Sequence, residues 1–300
     1  MEINFKLSIL GNGSAMPHKE RNPSAQFLEI DNNVWLIDCG ENTQFRLLKY
    51  GLKRSKISGI VISHLHADHY LGLFGLLSSM SMDRRKNKLI IAGHSLLKQM
   101  IDLHFSHGDF DLGYEVEFIS LDNLEPDHLL YNNNHLSINV HPVKHRVPCW
   151  AFKFSYLREV YHLETNKIKG LPVEALQKLS RGEDFSDTVR VDNHTNVQNI
   201  HKVYLYCTDT LRLKEIEQFA HQVNVLYHET TFLADNSKRA QETFHSTTEE
   251  AASLAEAAQV GQLLIGHFSS RYDDVSIFLE ETQAIFENSV IAEEGKTFEF

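Results

Sequence analysis

Cysteine is scarce in this 300-residue chain: Cys39, Cys149 and Cys207 stand far apart and show no Cys-x-x-Cys spacing. Neither a disulfide framework nor a cysteine zinc knuckle is compatible with that pattern, which fits three reduced thiols in a cytoplasmic protein. Long apolar runs are missing as well, and none approaches the ~20 residues that a membrane helix needs. Met1 to Leu10 alternates polar and apolar residues and lacks the basic start and apolar run of a signal peptide. No membrane association is therefore expected, and the expected location is the cytoplasm. Basic residues are outnumbered, 29 against 40 acidic, for a formal net charge of −11. That balance argues against a general nucleic-acid binder, although a pair of bound divalent ions would restore about four positive charges locally. Sequence repeats and low-complexity tracts are also absent.

What the chain does have is 42% hydrophobic residues, enough for one large α/β domain or two small ones, and 18 histidines, more than packing or solubility requires. Alternation in Phe5–Leu10, Gln26–Ile30, Val34–Ile37 and Gly59–Ile62 predicts consecutive strands. Further strands are expected at Lys88–Ala92, Glu115–Ile119, Leu136–Val140, Trp150–Ser155, Lys202–Cys207, Val223–His228 and Gln262–Gly266. Apolar steps of three and four predict helices at Gln44–Tyr50, Gly72–Met82, Leu96–Phe105, Leu213–His221, Thr247–Gln259 and Val275–Asn288. Ser246-Thr247-Thr248-Glu249 looks like a capping box opening one of them. Strands and helices alternate in both halves, so two sheets packed together under helices is the expected architecture. Between Leu157 and Ile200 the periodicity weakens and lysines and arginines gather, which reads as an inserted arm or loop in a single domain spanning residues 1–300, the arm covering about 157–200.

The sharpest chemical signal is Ser63-His64-Leu65-His66-Ala67-Asp68-His69, directly after an apolar strand. A loop at a strand's C-terminal end can converge its side chains on one point. His64 and His66 could reach one metal, while Asp68 and His69 could serve a second, since imidazole and carboxylate suit zinc or manganese. Two metals need more ligands than one loop supplies. Candidates follow at other strand ends: His145 beyond Leu136–Val140, Asp209 after Val203–Thr208, and His267 after Leu263–Gly266. Each alone is more often a capping or surface residue; together with the first loop they read as a ligand set.

His-x-His-x-Asp-His followed by a lone His, an Asp and a final His resembles the metallo-β-lactamase superfamily. Within it, Leu10-Gly11-Asn12-Gly13-Ser14, Lys19-Glu20-Arg21-Asn22, Asp38-Cys39-Gly40-Glu41, His228-Glu229-Thr230-Thr231-Phe232, His245-Ser246-Thr247 and Gly266-His267-Phe268-Ser269-Ser270-Arg271-Tyr272 are similar to ribonuclease Z. The resemblance implies an αββα four-layer sandwich, with two mixed sheets between helices. It also implies two zinc ions per chain, manganese being the alternative. His64, His66 and His145 would bind one ion, Asp68, His69 and His267 the other, and Asp209 would bridge both. Asp68 would orient the nucleophile, and His245 held by Glu229 would protonate the leaving group. Lys19, Arg21 and Arg271 are candidate contacts to RNA phosphates. Gly11 and Gly13 read as tight-turn residues.

The implied activity is that of a zinc-dependent endoribonuclease removing the 3′ trailer from precursor tRNA and leaving a 3′-hydroxyl. The implied assembly is a homodimer in which one subunit's arm holds tRNA for the other. The alternative function is a small-molecule phosphodiesterase, arylsulfatase or lactonase on the same dinuclear centre, because the fold does not choose the substrate. Three positions depart from the family pattern: Ala67 and Asn42 stand where glycine is usual, and the arm around Gly170–Leu179 lacks a Gly-Pro signature.

Overall fold

The structure, a computed structural model, describes residues 5–16, 18, 21–107 and 111–300. The first half of the chain supplies β1 (Phe5–Gly11), β2 (Gly13–Ser14), β3 (Ala25–Ile30), β4 (Asn33–Ile37), β5 (Gly59–Val61), β6 (Leu89–Gly93) and β7 (Val116–Ser120). The second half supplies β8 (His128–Asn132), β9 (Leu136–Val143), β10 (Cys149–Leu163), β11 (Thr195–Cys207), β12 (Val225–Glu229), β13 (Gln262–Gly266), β14 (Phe268–Ser269), β15 (Ser289–Ile291) and β16 (Thr297–Glu299). They form two seven-stranded mixed sheets, β16-β1-β3-β4-β5-β6-β7 and β15-β13-β12-β11-β10-β9-β8, while β2 and β14 pair separately.

Period-two alternation explains the layering. Leu7, Ile9, Leu28, Trp35 and Ile37 from the first sheet meet Ile138, Phe152, Phe154, Tyr204 and Tyr206 from the second in one buried seam. The intervening residues point outward under helices. Phe27, Leu36 and Ile60 lie beneath α1 (Thr43–Lys49), α3 (Gly72–Met82) and α4 (Ser95–Ser106), with the short α2 (Ala67–Tyr70) just before α3. On the other side Leu205, Leu226, Leu263 and Ile265 pack under α7 (Lys214–Phe219), α9 (Thr248–Ala257) and α10 (Ser276–Gln283). The remaining helices are α5 (Val173–Leu179), α6 (Val191–His194) and α8 (Ser237–Thr243). Helices, two sheets and helices make the expected four-layer sandwich, whose strands are apolar on both faces because both are covered.

Several details differ from the sequence reading. The segment read as an arm or loop is largely a ribbon: β10 and β11 run on as an unbroken antiparallel pair from Phe152↔Tyr206 to Leu163↔Thr195, and α5 and α6 lie beyond its end. The capping box sits one residue later than expected, with Thr247 and Glu250 as its partners. β8, β15 and β16 had no counterpart in the sequence reading, and α10 ends at Gln283, well before Asn288. Gly11 and Gly13 are not left-handed turn residues. A Cβ on Gly11 would stand 1.8 Å from the Pro23 carbonyl oxygen, so that glycine is required by close approach of backbone. Asn42 does occupy a left-handed conformation, φ 72°, where the resembled family has glycine, and asparagine tolerates it better than most residues. Ala67 opens α2 with ordinary helical geometry, so its extra methyl strains nothing.

Candidate metal centre

Parallel register assembles the site. Ile37, Val61 and Ala92 align across β4, β5 and β6, so Asp38 and the loop after β5 leave the first sheet side by side. Cys207, His228 and Ile265 align across β11, β12 and β13, which brings Asp209, Glu229 and His267 to the same edge of the second sheet. The β9–β10 connection adds His145, and the link from α8 to α9 adds His245.

Two groups of donors with no member in common result among the described residues. His64, His66, His145 and Asp209 form one and Asp68, His69 and His267 the other, with all ligand-type atoms in each group within 4.8 Å of one another. Asp209 faces both groups with separate oxygens. Its Oδ2 lies 3.4 Å from His64 Nε2 and 3.7 Å from His145 Nε2, while Oδ1 lies 3.0 Å from His267 Nε2 and 3.7 Å from His69 Nε2. Asp68 Oδ2 accepts the Ala15 N–H at 2.7 Å and stands 3.4 Å from His69 Nε2.

Whether these residues suit a cation can be tested by counting protons. A neutral imidazole has a single N–H. His69 gives its Nδ1–H to Asp38 Oδ2 at 2.8 Å, His145 gives its Nδ1–H to the Phe244 carbonyl at 2.8 Å, and His267 gives its Nδ1–H to the Thr231 hydroxyl at 2.9 Å. His64 Nδ1 lies 3.1 Å from the Ser63 hydroxyl, which itself donates to Asp38 Oδ2 at 2.8 Å. The Nε2 lone pairs of these four rings therefore point inward. His69 Nε2 meets His267 Nε2 at 3.3 Å, and His145 Nε2 meets His66 Nδ1 at 3.2 Å. Lone pairs facing at such distances repel unless a proton or a metal ion is shared between them, and inward Nε2 atoms beside Asp68 and Asp209 are a donor set that fits divalent metal.

Electrostatics agrees. Burial lowers His64, His66 and His145, keeping them neutral and ready to ligate. Burial also pulls on His69, but Asp68, Asp209 and Asp38 outweigh it and raise this imidazole well above its ordinary range. Buried carboxylates there demand positive charge, and without a metal the ring takes up a proton instead. Asp68 itself is held far below the carboxylate range: burial pushes it up, and His69 and His267 outweigh that.

Beside the metal groups, Glu229 is fully buried and surrounded by donors. Oε1 accepts from Thr210 N at 3.0 Å, His245 Nδ1 at 2.9 Å and Ser246 N at 3.1 Å, and Oε2 accepts from Thr231 N at 3.0 Å and from the Thr231 hydroxyl. Burial lowers His245, yet Glu229 and Asp209 outweigh it and raise the ring to about 9. Its donor atom lies within 4.8 Å of those of Asp209 and His267. A protonated imidazole, steered by a carboxylate and adjoining a metal group, can deliver a proton to a leaving oxygen.

The residues read as RNA contacts fare differently. Lys19 lies outside the described residues. Arg21 is buried and donates to the carbonyls of Ser269 at 3.3 Å and Tyr272 at 2.6 Å, so its guanidinium braces the neighbouring loop. Arg271 on that loop is exposed, 5.7 Å from the Phe232 ring, which is 6.1 Å from the His245 ring. Sequence reasoning missed Asp38, which also accepts from Ser63 N and the Tyr206 hydroxyl, and Thr231. Both sit in runs quoted for their family likeness, the only signal available. Asp38, Phe244 and His267 all have left-handed φ, 56°, 60° and 61°. Such placements cost roughly 1 kcal/mol or more each and persist where the surroundings over-determine them.

Comparison with known proteins places this arrangement. YhfI from Bacillus subtilis, a metallo-β-lactamase fold protein, superposes with a TM-score of 0.72 at 18% identity over 100% of both chains. Human tRNase Z, short form, does so with a TM-score of 0.72 at 24% identity over 98% of each chain. Fold and donor groups together thus define a protein of the metallo-β-lactamase fold with a candidate divalent metal site. A ribonuclease Z of Phocaeicola vulgatus is 36% identical over 296 residues, 97% of this chain and 96% of that one, and a family model described as anti-Pycsar protein Apyc1 matches residues 5–288. The chain belongs to the ribonuclease Z family, and to the family that this second description covers.

Proposed function

We propose that the protein is an endoribonuclease that cleaves precursor tRNA 3′ to the discriminator base, releases the 3′ trailer and leaves a 3′-hydroxyl. The observation that carries this reading is the Glu229–His245 pair set against two donor groups that share Asp209. His64, His66 and His145 would hold one zinc ion, Asp68, His69 and His267 a second, and Asp209 both, with manganese the alternative metal. Bound there, the ions supply Lewis acidity that acidifies a water and offsets charge on the phosphoryl oxygens.

The chain's own groups do the rest. Asp68, fixed by the Ala15 N–H, orients the attacking water and takes its proton. His245 spends Nδ1–H on Glu229, which leaves Nε2–H for the departing ribose oxygen. Protonating that oxygen gives the 3′-hydroxyl. Arg271, exposed over the Phe232 ring, is the candidate contact to a flanking phosphate.

Substrate gripping falls to the β10–β11 ribbon and its tip, where Lys167, Lys169 and Arg181 are exposed and Lys178 is half-buried. A homodimer is supported by exposed Leu71, Leu96 and Leu103 around α3 and α4, and a cytoplasmic location by three buried free cysteines. Among the described residues no helix is long and apolar enough to cross a membrane. The test is to incubate purified protein with a 3′-extended tRNA transcript and map the cut. A single cut after the discriminator base supports the proposal. Cleavage of cyclic nucleotides with an intact transcript would replace it with the small-molecule reading.

A further inference from the structure

Four imidazoles turn an Nε2 lone pair inward, and each leans on a different partner. His69 leans directly on a carboxylate, His145 on a backbone carbonyl and His64 on a serine hydroxyl. His267 leans on Thr231, whose side chain is buried and lies within reach of three polar groups: His267 Nδ1 at 2.9 Å, His245 Nδ1 at 3.2 Å and Glu229 Oε2. A hydroxyl has one proton to give. Glu229 as a carboxylate can only accept, so the proton goes to Oε2 and the oxygen is left to accept from His267. His245 has its own, shorter bond to Oε1 at 2.9 Å.

We infer that Thr231 is a positioning residue that fixes His267 in its metal-binding tautomer and, through its hydroxyl, ties that ligand to the same carboxylate that holds the proton donor. Without the hydroxyl, His267 Nδ1–H has no acceptor at that place, and the ring gains the option of carrying its proton on Nε2, where a metal would bind. The inference rests on the proposed ligand role of His267. It locates the effect in one metal group only, since no hydroxyl contact of Thr231 reaches His64, His66 or His145 among the described residues.

The experiment compares wild type, Thr231→Val, which keeps the shape and loses the hydroxyl, and Thr231→Ser, which restores it. Each is loaded with zinc and titrated with a chelator of known affinity, and bound zinc per chain is read directly. Loss of a partner behind a ligand typically weakens metal binding by about 10–100-fold. In Thr231→Val one of the two zinc ions should leave at roughly 10–100-fold lower free-chelator strength while the other holds within a few-fold, and Thr231→Ser should behave as wild type. Identical release curves for Val and wild type would overturn the inference, as would equal weakening of both ions or a Ser variant as weak as Val. Wild type that takes up no zinc would instead sink the proposed function, so the two failures are told apart by the first curve.

Discussion

Replacing Glu229 by glutamine changes one oxygen into NH₂ in a carboxylate that receives five hydrogen bonds. The amide's best orientation keeps its oxygen at the Oε1 position, where Thr210 N, His245 Nδ1 and Ser246 N still find an acceptor. Its NH₂ then faces the Thr231 N–H, donor against donor, and that buried N–H goes unpaired. An unsatisfied buried donor costs about 1–3 kcal/mol, and a bond to a charged group is worth ~1.5–3 kcal/mol where a neutral one is worth about 1. Stability should fall by roughly 2 kcal/mol, or about 4–8 °C in melting temperature for a large domain. His245 loses the nearer of the two anions that hold its proton, so that Asp209 alone opposes the burial that lowers it. At about 1.4 kcal/mol per decade, the charge-assisted part, about 0.5–2 kcal/mol, corresponds to a loss of roughly 2–30-fold in RNA cleavage. Single-turnover cleavage of precursor tRNA and hydrolysis of bis(p-nitrophenyl) phosphate, both at saturating zinc, separate the contributions. Nitrophenolate leaves without a proton and should be slowed only a few-fold. Equal losses on both substrates, or undiminished tRNA cleavage, would refute the proton-donor reasoning.

Other outcomes follow from the same geometry. Asp209→Ala removes the group that faces both donor sets, so activity should vanish and zinc content drop; two zinc ions per chain by metal analysis in that variant would contradict the shared-ligand assignment. As the proposed proton donor His245 would work only while protonated, and its carboxylate neighbours hold it up to about 9. Cleavage of tRNA should therefore decline as pH rises through a value no higher than that, since bound cations lower it, while nitrophenyl ester hydrolysis shows no such limb. His245→Ala should lose roughly 10²-fold or more on tRNA alone, and a parallel pH decline of both substrates would count against the role. Neutralising Lys167, Lys169, Lys178 and Arg181 should raise KM for precursor tRNA and flatten its salt dependence, leaving bis(p-nitrophenyl) phosphate untouched. An unchanged KM and salt slope would remove the ribbon from substrate binding.

The candidate ligands that share one loop are legible because six consecutive residues carry four of them after an apolar strand. His145, Asp209 and His267 were legible as strand-end residues, because the strand periodicity before each is clear. Asp38 and Thr231 were not, since their importance arises from register across parallel strands, which no single segment encodes. Arg21 shows the opposite error: sequence reports a cation, and only the fold reveals that its guanidinium is committed to two carbonyls. The outer ribbon escaped recognition as strand for a solvent reason. Asn196 to Asn199 are exposed without alternation, so the period-two signal that marks a half-buried strand is absent there. Short pairings such as Lys6↔Glu299 in β1–β16 join distant chain ends and leave no local mark.

The two donor groups sit astride the seam between the sheets. The first sheet contributes His64, His66, Asp68 and His69; the second contributes His145, Asp209 and His267. An ion in either group would thus be a removable crosslink between halves of the sandwich, joining positions roughly 80 to 200 residues apart, which in an unfolded chain would meet only at a cost in entropy. Because the unfolded chain cannot present that geometry, occupancy counts toward folding: an ion at a thousand times its dissociation constant adds about 4 kcal/mol. A cell short of metal would hold this polypeptide as an idle enzyme and also as a looser body, opened more often along the seam and more readily cut by proteases.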